Sequence, residues 1–162
     1  MGEAGRGVNG AGLPHRLERG FLLERRGILL PWDARAKVLF NLGEPEAHET
    51  HGKVDLVWRG EVCLGGLPAD LHASLKRKQK LRTVRILADY ADAEGRTGFD
   101  RVNAHLVSVF SAPASTVDSM GLPSWEWASD RIAIAHFPFE RFGTHYVLTF
   151  RRKGPVVKEE GK

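Results

Sequence analysis

The sequence predicts an α+β fold in which two helices pack on a mainly antiparallel sheet of about six or more strands. This class is favoured by two apolar stripes at helical spacing, by several runs in which apolar and polar residues alternate, and by the glycine and proline breaks between them. The elements follow in a similar order in both halves of the chain. We therefore expect one compact domain over residues 21–152, with possible repeat halves at 28–91 and 97–152.

Two helices are predicted, and each is followed by a proline. The first covers residues 34–42, where the Asp33 carboxylate can accept backbone N–H groups as an N-cap. The second covers residues 99–110, whose apolar side chains recur at helical spacing. Pro45 and Pro113 come next and prevent continuation of the helices. Each predicted helix therefore opens one half of the possible repeat.

Strands are predicted where apolar and polar residues alternate, or where short apolar runs end at turn residues. The runs are 21–25 with 28–30, 54–58, 61–64, 83–90, 125–127, 132–137 and 145–151. We expect Arg59 and Gly60 to form a tight turn between two of these strands. Pro138 is expected to end a strand because it cannot donate to a ladder. Residues 69–81 are expected to form a short helix or a loop.

Composition is typical of a globular domain. The chain has 162 residues, of which 42% are hydrophobic and 27% charged, which suits a single core. No run of about 18 apolar residues is present, so a transmembrane helix is not expected. The net charge of +4 is mildly basic. Residues 1–18 lack the apolar stretch of a signal peptide, and both they and residues 153–162 are expected to be flexible tails.

Cys63 is the only cysteine, so the chain can form neither an intrachain disulfide nor a cysteine zinc site. This usage is typical of a reducing compartment and predicts a cytoplasmic location. The position of Cys63 between Val62 and Leu64 in a predicted strand favours a buried, inert thiol. No cofactor is expected, because the phosphate-loop and nucleophile-elbow motifs are both missing.

Both halves contain a similar tryptophan segment. Trp58-Arg59-Gly60-Glu61 and Trp127-Ala128-Ser129-Asp130 each consist of a tryptophan, two turn residues and an acid. Helix, proline stop, tryptophan hairpin and closing strand, taken twice over residues 28–152, resemble the tandem α/β repeat of the β-lactamase-inhibitor-protein-like fold. Small bacterial immunity and inhibitor proteins show a similar order. Those inhibitors are often secreted and disulfide-bonded, which this chain is not expected to be, and no shared motif transfers the role of a residue. The resemblance implies protein binding ahead of catalysis.

The leading functional hypothesis is therefore a cytosolic protein-binding module of the bacterial immunity or inhibitor type. Its candidate partner-binding residues are Trp125, Lys76, Arg77 and Lys78. Trp127 is expected to be buried, and Trp125 to be partly exposed at the rim of a binding surface. The basic segment 76–82 also permits an alternative, a nucleic-acid binder, but it lacks the interleaved aromatic residues that stack on bases. An acidic protein partner fits the same segment.

A second alternative is a small enzyme with a histidine acid/base site. His136 and His145 are its candidates, because adjacent strands can bring two imidazoles together. A metal site has its own candidates, His48 and His51, which lack the His-Glu-x-x-His spacing that places two imidazoles on one helix face. A solvated loop is the simpler interpretation of that histidine pair.

Overall fold

The computed structural model describes residues 17–88, 95–140 and 144–154. Within them the chain is 53% strand and 15% helix, with an eight-stranded antiparallel sheet and a two-stranded sheet. The predicted α+β class, with two helices packed on a sheet, is therefore wrong: the protein is mostly β. The elements are β1 (Gly20–Leu23), β2 (Ile28–Pro31), α1 (Ala36–Leu39), β3 (Glu46–Thr50), β4 (Lys53–Cys63), β5 (Leu67–Lys76), β6 (Thr83–Ala88), α2 (Gly95–Phe110), β7 (Ser115–Val117), β8 (Pro123–Ala128), β9 (Ile132–Glu140) and β10 (Thr144–Arg152).

The first predicted helix shrinks to the single turn α1. Asp33 has a positive φ of 74° and its backbone N–H donates to the Leu81 carbonyl. The Leu81 N–H in turn donates to the Ala34 carbonyl over 2.7 Å. The second bond occupies a carbonyl that a helix starting at Ala34 would need, so the helix starts two residues later than predicted. Gly43, with φ of 74°, lies beyond its end, and a Cβ there would come within 3.0 Å of Trp58 Cδ1.

The segment after Trp58 is also corrected. The expected tight turn at Arg59 and Gly60 is a bulge inside one long strand, β4, where the pairing with β5 shifts between Trp58 and Glu61. Gly60 adopts a positive φ of 65°, and its N–H donates to Asp70 over 2.8 Å. The helix or loop expected at residues 69–81 is strand β5 as far as Lys76, with Leu71, Ala73 and Leu75 buried, and no helix follows it up to residue 81.

The second half contains one strand that was not predicted and one prediction that is wrong. The unpredicted strand is β7, which pairs with β8. Pro138 does not end a strand, because β9 continues to Glu140 and Pro138 lies opposite Tyr146 of β10. Pairing of β9 with β8 stops at His136, so at Pro138 one side of β9 needs no ladder donor.

The large sheet has the order β3-β4-β5-β6-β10-β9-β8-β7. Two four-strand meanders therefore run outward in opposite directions from a central antiparallel pair, β6 with β10. Trp58 Nε1 donates to the Leu42 carbonyl over 2.7 Å, and Trp127 Nε1 donates to the Ser111 carbonyl over 2.8 Å. Both acceptors lie 16 residues upstream of their tryptophan, just after a helix. The topology is thus symmetric, while an ancestral duplication stays a prediction.

The core lies on one face of this sheet, called here the inner face. Helix α2 packs on it through Phe99, whose ring centroid is 4.4 Å from that of His136, and through Phe110, which contacts Trp127. The β1–β2 hairpin covers another part of it, with the Phe21 and Phe150 rings 5.0 Å apart in an edge-to-face arrangement. In the described part of the chain, neither helix has the length and apolar character needed to cross a membrane.

Candidate partner-binding site

Two lysines lie directly opposite each other in the β4–β5 ladder. The register pairs Lys53 with Lys76, and both are exposed. Side chains paired in this way have Cβ atoms about 5 Å apart, and like charges in such positions repel. Neither lysine forms an ion pair with a residue that the structure describes. The fold therefore holds an uncompensated pair of positive charges at the end of this hairpin.

The turn that follows β5 adds more cations in a fixed arrangement. The Lys76 N–H donates to Gln79 Oε1 over 2.7 Å, and the Gln79 N–H donates to the Lys76 carbonyl over 2.9 Å. Arg77 Nε donates to Glu49 Oε2 of the edge strand β3 over 2.6 Å. Lys78 and Lys80 are exposed. We define the basic end as Lys37, Lys53, Lys76, Arg77, Lys78 and Lys80.

A cleft of about 330 Å³ connects this turn with helix α1. One side is lined by Lys37 of α1 and by Phe40, the C-cap of that helix. The other side is lined by Glu49, Val54 and Arg77. Phe40 is 44% exposed, and Val38 beside it is 50% exposed. Apolar side chains surrounded by charged ones are typical of protein–protein interfaces. Lys37, Phe40 and Lys53 were missed by sequence reasoning, because only the fold brings them beside the 76–78 segment.

The candidate catalytic histidines lie on opposite faces of the sheet. His136 of β9 pairs in register with Leu148 of β10, and its ring points to the inner face, where it is 1% exposed. His145 lies three residues before Leu148 along β10, so its side chain points to the other face. Its ring neighbours Phe139 at 6.3 Å. The two imidazoles therefore do not form one acid/base site.

His136 is expected to make the protein sensitive to acid. Burial lowers the pKa of its imidazole to about 3, from 6.5 in the unfolded chain. Between these values the unfolded chain binds a proton that the folded protein does not, so stability falls as the pH decreases from 6.5 towards 3. The expected loss of unfolding free energy is about 2 kcal/mol between pH 7 and pH 5.

Urea unfolding at the two pH values measures this loss. The variant His136→Gln cannot take up the proton. Its difference in unfolding free energy between pH 7 and pH 5 should therefore be smaller by about 2 kcal/mol. An identical pH dependence in the variant and the natural protein would contradict the assignment.

The candidate metal ligands are also separated. His48 lies in the edge strand β3 opposite Asp55, so it is not in the loop that was expected. His51, with φ of 51°, forms the β3–β4 turn with Gly52. Across residues 17–88, 95–140 and 144–154, no group of three or more histidine, cysteine or acidic residues could hold a metal ion.

The remaining candidates lie away from the basic end. Trp127 is 6% exposed, in line with its expected burial. Trp125 is half-buried, with its ring 6.3 Å from that of Trp127, and its strand β8 is separated from β4 by four strands. A partner-binding role for Trp125 stays a prediction. Cys63 is buried, and burial, with Glu24 and Glu61 nearby, raises the pKa of its thiol to about 12.

Comparisons of the chain with protein-family models, with curated proteins and with solved structures gave no match.

Proposed function

We propose that the chain is a protein-binding module whose basic end docks on an acidic surface of a partner protein. The observation that carries the proposal is the direct opposition of Lys53 and Lys76 in the β4–β5 ladder. This arrangement costs stability in the free protein. Carboxylates of a partner, placed between the two ammonium groups, would relieve the repulsion. Binding would then recover the free energy that the lysine pair costs the folded chain.

The surroundings of the lysine pair also suit a protein partner. Phe40 offers an exposed aromatic side chain in the cleft, and Lys37 and Arg77 line the same cleft. In such interfaces an aromatic anchor supplies much of the affinity, while the charges steer association and select the partner. The hydrogen-bonded 76–79 turn fixes the backbone that carries Lys76 and Lys78, which lowers the entropy that binding must overcome.

A protein partner is favoured over a nucleic acid by the scarcity of aromatic side chains in the cleft. Phe40 is the single aromatic residue lining the cleft among the residues described, whereas single-stranded binders stack several bases on aromatic rings.

The immunity or inhibitor type and a cytosolic location extend the same proposal. The resemblance of the tryptophan-bearing repeats supports the first. The single buried cysteine supports the second, because a reducing compartment preserves a free thiol.

Affinity capture with matched charge reversals tests the proposed function. The tagged chain is incubated with native bacterial lysate at low salt, and captured proteins are quantified by mass spectrometry. The double variant Lys53→Glu/Lys76→Glu should reduce capture of an acidic protein at least about tenfold, because attraction becomes repulsion. The control Arg85→Glu/Arg151→Glu makes the same change of net charge at exposed positions of β6 and β10 and should retain the partner.

Three results decide between the classes of function. A protein partner is supported if capture is lost in the first variant alone and if neither added nuclease nor added nucleic acid changes this result. Equal capture by both variants contradicts the basic end as the site. Retention of a single-stranded oligonucleotide that the first variant loses, without any captured protein, replaces the proposal with nucleic-acid binding.

A further inference from the structure

A second cavity runs along strand β1. Its volume is about 460 Å³, within the range of ligand sites. Both faces of the strand contribute to its wall, because Arg19 and Phe21 lie on one face and Gly20 and Leu22 on the other. Leu64, which follows β4, lines it as well. Since β2 occupies one edge of β1, we place the cavity along the other edge.

This edge of β1 carries main-chain groups that are open for pairing. The Trp32 N–H donates to the Arg19 carbonyl, and such bonds recur at every second residue of an antiparallel ladder. The N–H and C=O groups of Leu22 therefore point away from β2. The Glu24 N–H points the same way and donates to the Val62 carbonyl of β4 over 2.8 Å. Leu22 has no such partner among the residues that the structure describes, and it is 41% exposed.

The wall of this cavity is apolar, with one charged side chain towards each end of the strand. Its apolar surface comes from four leucines: Leu17, Leu22, Leu29 and Leu64. Arg19 is exposed and forms no ion pair with a residue of the described ranges. At the other end the N–H groups of Gly65 and Gly66 donate to the Glu24 carboxylate over 2.6 and 3.0 Å. An extended chain along β1 would therefore meet a cation and an anion about 17 Å apart.

We infer that this edge binds an extended peptide segment of a partner protein, which adds to β1 as an antiparallel strand and places a carboxylate next to Arg19. One residue of the segment exchanges both of its main-chain hydrogen bonds with Leu22. Aliphatic side chains of the segment remove the apolar wall from water, which is favourable. The carboxylate pairs with the guanidinium, and the opposite charge of Glu24 selects the direction of the segment.

This inference is independent of the proposed function. No residue lines both this cavity and the cleft at the basic end. A partner could therefore occupy one surface when the other is mutated, and each surface has its own test.

Fluorescence anisotropy of the full chain with a labelled peptide tests strand addition. The probe is fluorescein-Lys-Thr-Val-Thr-Val-Asp-amide, designed so that its first valine lies opposite Leu22 and its aspartate opposite Arg19. N-methylation of the first valine should weaken binding at least about tenfold, because it removes a main-chain donor and places a methyl group against the edge. The matched control is N-methylation of the second threonine, whose N–H points away from β1, and it should leave binding unchanged. Equal effects of the two N-methyl groups would overturn strand addition.

Variants of the chain test the two protein groups separately. Leu22→Pro removes the edge N–H without removing a bond to β2, and it should weaken binding more than Leu22→Ala, which shortens the side chain alone. Arg19→Gln should weaken binding at least about tenfold, the effect of losing a charge-assisted hydrogen bond. Its control, Arg25→Gln, changes an exposed arginine of the same hairpin that does not line the cavity, and it should leave binding unchanged.

The remaining outcomes decide against parts of the inference. Binding that Arg19→Gln and Arg25→Gln change equally would overturn the carboxylate assignment. Absence of binding of the unmethylated peptide at concentrations up to about 1 mM would overturn the site itself. Far-UV circular dichroism verifies that each variant is folded, and the pair of N-methylated peptides needs no variant of the chain at all.

Discussion

Replacing Trp58 by alanine is expected to lower the free energy of unfolding by about 3–5 kcal/mol, the cost of deleting a large buried aromatic side chain. The Trp58 ring is 1% exposed and fills the space between the β4 strand and the end of α1. Its indole N–H also donates to the Leu42 carbonyl, which loses a partner in the variant. Urea unfolding followed by circular dichroism measures the loss without relying on tryptophan fluorescence.

Two further variants are compared with Trp58→Ala: one removes only the indole N–H hydrogen bond and part of the ring, and the other removes the corresponding tryptophan of the second meander. Trp58→Phe keeps much of the buried apolar area but removes the N–H, so it should cost about 1–3 kcal/mol. Trp127→Ala removes the corresponding indole of the second meander and should cost about 3–5 kcal/mol, like Trp58→Ala. A loss below 1 kcal/mol at Trp58 would contradict its place in the core. A loss confined to one tryptophan would show that the two meanders depend differently on their indoles.

Removing Arg26 is expected to cost about 3 kcal/mol, the lower end of the range for breaking a buried ion pair. Arg26 Nη2 donates to Glu61 Oε2, and Nη1 donates to the Gly43 carbonyl over 2.8 Å. The Glu61 side chain is fully buried, whereas that of Arg26 is 32% exposed, which moderates the expected loss. In Arg26→Ala the Glu61 carboxylate stays buried without a counter-charge, and the β1–β2 hairpin loses one of its links to β4, although the Glu24 N–H still donates to the Val62 carbonyl.

A double variant distinguishes the destabilisation caused by the unpaired buried charge from that caused by lost packing. In Arg26→Ala/Glu61→Leu no buried charge remains, so much of the stability lost in the single variant should return. Urea unfolding of the natural protein, both single variants and the double variant gives the coupling free energy. A double variant that loses the sum of the two single losses would show that the pair is not coupled and that Arg26 acts through packing alone.

Local patterns in the sequence predicted the strands best where the two faces of a strand differ clearly in the polarity of their side chains. Alternation predicted strands at residues 54–58, 83–90 and 145–151, and the structure has β4, β6 and β10 at these places. Apolar side chains at helical spacing predicted a helix at residues 99–110, inside α2. These signals depend only on neighbouring side chains, because one face of each element must be apolar to cover the core.

The same local signals failed where distant residues decide the conformation. In β5 the alternation of Leu71, Ala73 and Leu75 was present, but the cations that follow suggested a loop or a helix. At α1 the apolar stripe predicted a helix over residues 34–42, and the backbone bonds to Leu81 explain why the helix begins only at Ala36. The positive φ of Gly60 fits either a turn or a bulge, and the partner strand β5 selects the bulge.

The sequence by itself determined which residues alternate, where α2 forms and that one thiol is present. Only the tertiary structure decided which residues the candidate functional residues lie opposite and on which face of the sheet they lie. Strand register places Lys53 opposite Lys76 and sends His136 and His145 to opposite faces, and a shift of one residue would reverse either result. Register follows from pairing along the whole of each strand, with bulges included, and a local pattern contains no information about its partner. The mainly β character has the same origin, because β3 and β7 have no fully buried side chain and form by pairing with β4 and β8.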